Sequence, residues 1–73
     1  MNNLQDRVLH VRFAGRSFDL PLRSLDLGPA ALDSEIKAAA ARRLDVSVRD
    51  FTDYVVDRHA TGNLTIRPEA VFG

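Results

Sequence analysis

At 73 residues the chain is the size of one domain with a single small core, where roughly 60% of the unfolded surface is buried. Cysteine is absent, which excludes a disulfide framework and a thiolate metal site as staples. Ten basic residues cancel ten acidic ones and alternate with them along the chain, which disfavours a polyanion-binding stripe, and no apolar run approaches the length of a membrane span.

Residues 1–6, MNNLQD, form a polar lead without an apolar signal core, so the expectation is a soluble, cytoplasmic protein. No internal repeat or linker divides residues 1–73, which are read as one domain. From Arg7 to Leu22 the text RVLHVRF-AGRS-FDLPL alternates apolar and polar residues on both sides of a glycine, the signature of a hairpin. A two-residue type II′ turn at Gly15-Arg16 would pair Ala14 with Ser17, Phe13 with Phe18, Val11 with Leu20 and Leu9 with Leu22. Every large apolar residue then lies on one face, and Val8, His10, Arg12, Ser17, Asp19 and Pro21 lie on the other. Pro21 cannot donate to a ladder, so the second strand is an edge.

Arg23 to Pro29 is a crossover in which Leu25 and Leu27 add to the core. The run Asp33 to Leu44, DSEIKAAAARRL, is rich in strong helix formers. Leu32, Ile36, Ala40 and Leu44, with Ala39 beside them, form its apolar stripe, and Glu35, Lys37, Ala38, Ala41 and Arg42 cover the rest. Asp33 or Ser34 is the expected cap, Glu35 suits the positive end and Arg42 with Arg43 the negative end; Gly28-Pro29 offers an alternative start one turn earlier. A helix of roughly 12 residues is marginal alone in water and must dock on a sheet. Beyond it, Ser47 with Asp50 three residues on resembles a capping box that opens a single helical turn burying Phe51.

Thr52 to Pro68 reads as a second hairpin around a three-residue loop, Ala60-Thr61-Gly62, with Gly62 left-handed and with His59 opposite Asn63, Arg58 opposite Leu64 and Val56 opposite Ile66. Tyr54, Val56, Leu64 and Ile66 then face inward, Arg58 sits at the rim with its head in water, and Val55, Asp57, His59, Thr65 and Arg67 face out. Residues 69–73 form a tail whose Val71 and Phe72 are expected to tuck against the domain.

Hairpin, helix and hairpin assemble into an α+β, ββαββ fold: a four-stranded mixed sheet in the order 2-1-4-3 with one helix on one face. This arrangement resembles the β-grasp, or ubiquitin-like, fold by topology and spacing over nearly the whole chain: a glycine-turn hairpin, a helix of three turns, a short turn at Val46 to Phe51, and a last strand near the carboxy terminus. The resemblance implies a non-catalytic protein-protein interaction module that binds through the outer sheet face, with Val8, His10, Arg12, Val55, Asp57, Thr65 and Arg67 as its contact residues. It also implies an alternative, a modifier or sulfur carrier activated at Gly73, although Phe72 stands where those families place a second glycine.

Enzymatic chemistry finds little support. Ser17, Ser24, Ser34 and Ser47 sit at turn or cap positions, no nucleophile is paired with a base, and Gly28 and Gly62 lack the spacing of a phosphate-cradling loop. Asp57, His59 and His10 point to one side of the sheet but fall short of the three-ligand, concave setting of a zinc site. No cofactor and no metal is expected. A weak nucleic-acid-binding reading would use Arg7, Arg12, Arg16, Arg23 and Arg67, and is opposed by the interleaved Asp6, Asp19 and Asp57. The expected partner is another protein, with the chain itself a monomer or weak dimer.

Overall fold

The computed structural model describes residues 7–28 and 30–70. In chain order they form β1 (Val8–Phe13), β2 (Arg16–Pro21), a 3-10 turn (Leu22–Leu25), α1 (Asp33–Leu44), a second 3-10 turn (Val48–Phe51), β3 (Tyr54–Arg58) and β4 (Leu64–Pro68). The sheet order is β2-β1-β4-β3, with the central pair β1 and β4 parallel and both outer pairs antiparallel. The ββαββ architecture and strand order are those expected from the alternation and turn signals.

Burial follows the order of the strands. Leu9 and Val11 on β1 and Ile66 on β4 are fully buried, because the central pair is covered by α1 on one side and flanked by strands on both edges. Ile36, Ala39, Ala40 and Ala41 close on them from the helix. At one end of this core Phe13, the fully buried Phe51 and Tyr54 pack as three rings, with centroids 5.1, 5.2 and 5.9 Å apart and the Phe51–Tyr54 pair edge to face.

The first hairpin keeps its predicted faces but not its predicted register. The central residues of its turn are Ala14 and Gly15, with φ of 53° and 77°, so Phe13 lies opposite Arg16, Val11 opposite Phe18 and Leu9 opposite Leu20. Positive φ at both positions is the type I′ geometry, whose twist matches that of the strands it joins. The shift is two residues, which leaves every side chain on its original face and changes only its neighbours.

The helix spans the expected residues but is seated differently. Leu32, not Asp33 or Ser34, occupies the cap position in extended conformation, and the Glu35 carboxylate accepts its backbone N–H at 2.7 Å. Leu32 therefore stands off the helical stripe and is 64% exposed. Ala41, expected outside, is buried, because the second 3-10 turn folds back beside that flank; there Ser47 caps the turn as expected, its hydroxyl accepting the N–H of Arg49, while Asp50 is tied to Ser47 through its backbone N–H and the Ser47 carbonyl. Leu25 is buried and Leu27 half-buried, as expected of the crossover.

The second hairpin forms in the expected register, with Gly62 at φ 94° and the N–H of His59 bonded to the carbonyl of Asn63. Arg58 sits exposed at the rim, as expected, and its head is also tethered. Its Nη2 donates to the Ala31 carbonyl at 2.8 Å and to the Asp33 carboxylate at 2.6 Å, tying the end of β3 to the start of α1. The side chain of Asn63 reaches across to accept the backbone N–H of Val8 at 3.0 Å, which fixes the start of β1. Val71, Phe72 and the lead at residues 1–6 lie outside the described residues.

Candidate functional site on the outer sheet face

Each residue expected on the outer face is on it, and the register arranges them in rows across the four strands. One row reads Asp19, His10, Thr65, Asp57 from β2 to β3. One step along the strands, Ser17, Arg12, Arg67 and Val55 stand side by side; one step the other way come Pro21, Val8 and, past Asn63, His59. Ser17 is thus a strand residue opposite Arg12 and not a turn residue.

Within this grid most charges are spoken for. His10 Nδ1 donates to the Asp19 carboxylate at 2.7 Å, and His59 Nε2 and the Thr65 hydroxyl are in hydrogen-bond contact at 2.8 Å. Arg67 Nε donates to Asp57 Oδ2 at 2.5 Å along a diagonal of the β3–β4 ladder. That hydrogen bond from Arg67 holds the Asp57 carboxyl below its ordinary 3.8, against partial desolvation of the site, and Asp57 raises the Arg67 guanidinium in return. Arg12 is the exception: it is exposed and, among the described residues, has no ion-pair partner.

Here the register matters for function. Had the strands paired with Phe13 opposite Phe18, Arg12 would face Asp19 and be neutralised. Instead His10 takes Asp19 and Arg12 faces the uncharged Ser17. Arg12 and Arg67 then line a shallow hollow of about 460 Å³ beside the β1–β2 turn; Glu69 is the one acidic residue among its described lining, and Arg16, whose strand position opposite Phe13 belongs to the helix side, reaches only its edge. Neither Arg16 nor Ser17 is among the expected contact residues. Their signal is the type I′ turn, which moves both of them one position into β2.

The remaining expected contacts, Val8 and Val55, are half-buried and lie at opposite corners of the face: Val8 beside Pro21 at one end, Val55 beside Arg67 at the other. No Phe or Tyr ring among the described residues stands on this face, so it lacks the large stacking platform that single-stranded nucleic acid uses; the four rings at Phe13, Phe18, Phe51 and Tyr54 belong to the helix side. No group of three or more His, Asp or Glu among the described residues is placed to hold a metal ion. No helix among them is long and apolar enough to cross a membrane. Gly73, the expected conjugation residue of the alternative reading, lies outside the described residues. No family model matches the chain, and neither a curated protein nor a solved structure matches it.

Proposed function

We propose that the chain is a minimal β-grasp domain of ubiquitin-like type that works by binding an acidic segment of another protein through its outer sheet face, with no catalysis of its own. The fold assignment is supported by the 2-1-4-3 order, the parallel central pair and the single helix. The binding assignment is carried by one observation: Arg12 and Arg67 stand on adjacent parallel strands and line one hollow, and of the two only Arg67 has a carboxylate partner among the described residues. Arg67 is already paired with Asp57, so Arg12 is the guanidinium that a docked carboxylate would meet in a charge-assisted contact. The apolar side chains on this face, Val8 with Pro21 at one end and Val55 beside Arg67 at the other, make no patch that demands a partner by itself, so charge sets the preference and Val55 adds contact area beside Arg67.

The test is an amide NMR titration of the ¹⁵N-labelled chain with a Glu/Asp-rich peptide, for the natural protein and for Arg12→Glu. The expected result is a set of shifts confined to Arg12, Ser17, Thr65 and Arg67, weakening with added salt and lost in the variant. Shifts on the helix side, or binding that survives Arg12→Glu, would overturn the reading.

A further inference from the structure

A second concavity lies at the opposite end of β1. Its floor is apolar, built from Leu22 in the first 3-10 turn, Leu27 in the crossover, Ile36 on α1 and Leu64 at the start of β4. Its rim is cationic. Arg7, Arg23 and Arg58 line it, and no acidic side chain among the described residues does. The volume is about 270 Å³, or about nine water-sized volumes of roughly 30 Å³, which places it at the small end of ligand sites.

The three guanidiniums are set there by different means. Arg58 is anchored through Nη2 to Ala31 and Asp33, which leaves its Nε and Nη1 hydrogens without a partner among the described residues. The stem of Arg7 lies across Gly62, where a Cβ would collide with Arg7 Cδ, so only glycine lets that arginine lie down beside the hollow. Arg23 is exposed and has no ion-pair partner among the described residues. Arg23 and Arg58 against the single carboxylate of Asp33 leave the mouth positive over an apolar floor.

We infer that this hollow binds a small amphipathic carboxylate, an acyl or aryl group of about nine non-hydrogen atoms seated on the apolar floor with its carboxylate between Arg23 and Arg58. Both halves of the ligand are required by the lining. Inorganic phosphate would leave the floor unused, an alcohol would leave the guanidiniums uncompensated, and an ammonium would be repelled at the rim.

The test is an amide NMR titration of the whole chain with octanoate, 1-octanol and octylammonium in parallel at constant ionic strength. Octanoate is expected to shift Leu22, Gly28, Gly62 and Leu64 at millimolar concentration and to bind about tenfold more tightly than 1-octanol, the worth of one charge-assisted pair. Arg23→Glu should weaken octanoate about tenfold and leave 1-octanol unchanged, while Ala31→Leu, which fills the space, should weaken both. Since Arg23 is exposed, its variant keeps the fold and carries the test if the filled variant does not. Equal affinity for octanoate and 1-octanol, shifts elsewhere on the domain, or octanoate binding indifferent to Arg23→Glu would overturn the assignment.

Discussion

Replacing Ala14 by Asn should stabilise the protein by about 0.5–1 kcal/mol, and the reason lies in the turn that sets the charge pattern of the outer face. Ala14 holds φ at 53°, where its Cβ crowds the following carbonyl at a cost of roughly 1–2 kcal/mol. Asn keeps the Cβ but visits this region readily, because its carboxamide bonds locally to the backbone, so about half of the cost is recovered. With an unfolding entropy of roughly 2.1 cal/mol/K per residue over 73 residues, the gain corresponds to a rise in Tm of about 3–6 °C. Ala14→Gly should gain about as much, because glycine removes the whole Cβ cost but the freedom it returns to the unfolded chain offsets about 0.4–1 kcal/mol of it. Thermal unfolding followed by circular dichroism measures both, and a cross-strand contact from Leu9 to Leu20 in the NMR spectrum checks that the register is unchanged. If Ala14→Asn leaves Tm unchanged or lowers it, Ala14 is an extended residue opposite Ser17, the turn is at Gly15-Arg16, and Arg12 faces Asp19 after all; the basic hollow would then lose its basis.

Phe51→Ala should cost about 3–5 kcal/mol, since the ring is fully buried between Phe13 and Tyr54 and the total stability of such a domain is on the order of 5 kcal/mol; a urea midpoint close to the natural one would show that this ring is not at the centre of the core. Asn63→Ala should cost about 1–2 kcal/mol by leaving the Val8 N–H without its acceptor, whereas Asn63→Asp, which keeps an oxygen there, should restore most of it in the same urea experiment. Arg67→Gln should return the Asp57 carboxyl toward 3.8. Because the folded-state value is lowered, the contribution of the pair is fully present above the unfolded value near pH 4 and is lost as pH falls through the lowered one, so the natural protein should lose more stability than the variant as pH falls below about 4. Carbon-13 titration of the Asp57 carboxyl reads the shift directly, and an identical midpoint in both proteins would remove Arg67 as its cause.

The layers of the fold were legible because period-two and near-period-four patterns dictate faces, and faces dictate what must pack on what. Val11, Ile66 and Ile36 are identified as core by that logic alone, and Phe51 by the capping signal that precedes it. Register was not legible to the same depth. A shift of two residues preserves every face, so alternation cannot separate a turn at Ala14-Gly15 from one at Gly15-Arg16, and an alanine gives no sign that it will accept positive φ. Leu32 misled for a related reason: it extends the four-residue stripe by one turn, and the competing signal was Glu35 three residues on, a carboxylate able to cap a position that has no side-chain oxygen of its own. The reach of Arg58 to Asp33 joins residues 25 apart in sequence, and no local pattern encodes such a contact. For the candidate site the consequence is specific: Arg12 and Arg67 were legible as outward residues, whereas the release of Arg12 from Asp19 depends on the register and so became visible only with the structure.

The two basic hollows lie at opposite ends of β1, one beside Arg12 and the other beside Arg7, and this spacing makes them separable. Five residues of strand at roughly 3.3 Å each put about 16 Å between them, twice the Debye length of about 8 Å at physiological salt. The stretch of β1 between them is part of the buried centre of the sheet, with Leu9 and Val11 fully enclosed, so it has no second packing arrangement through which occupancy at one end could be felt at the other. Saturating the chain with octanoate should therefore leave the affinity of the acidic peptide unchanged, and Arg12→Glu combined with Arg23→Glu should show the sum of the two single effects to within about 0.5 kcal/mol. A coupling well beyond that, persisting at physiological salt, would mean that both ligands share one surface and that at least one of the two sites has been put in the wrong place.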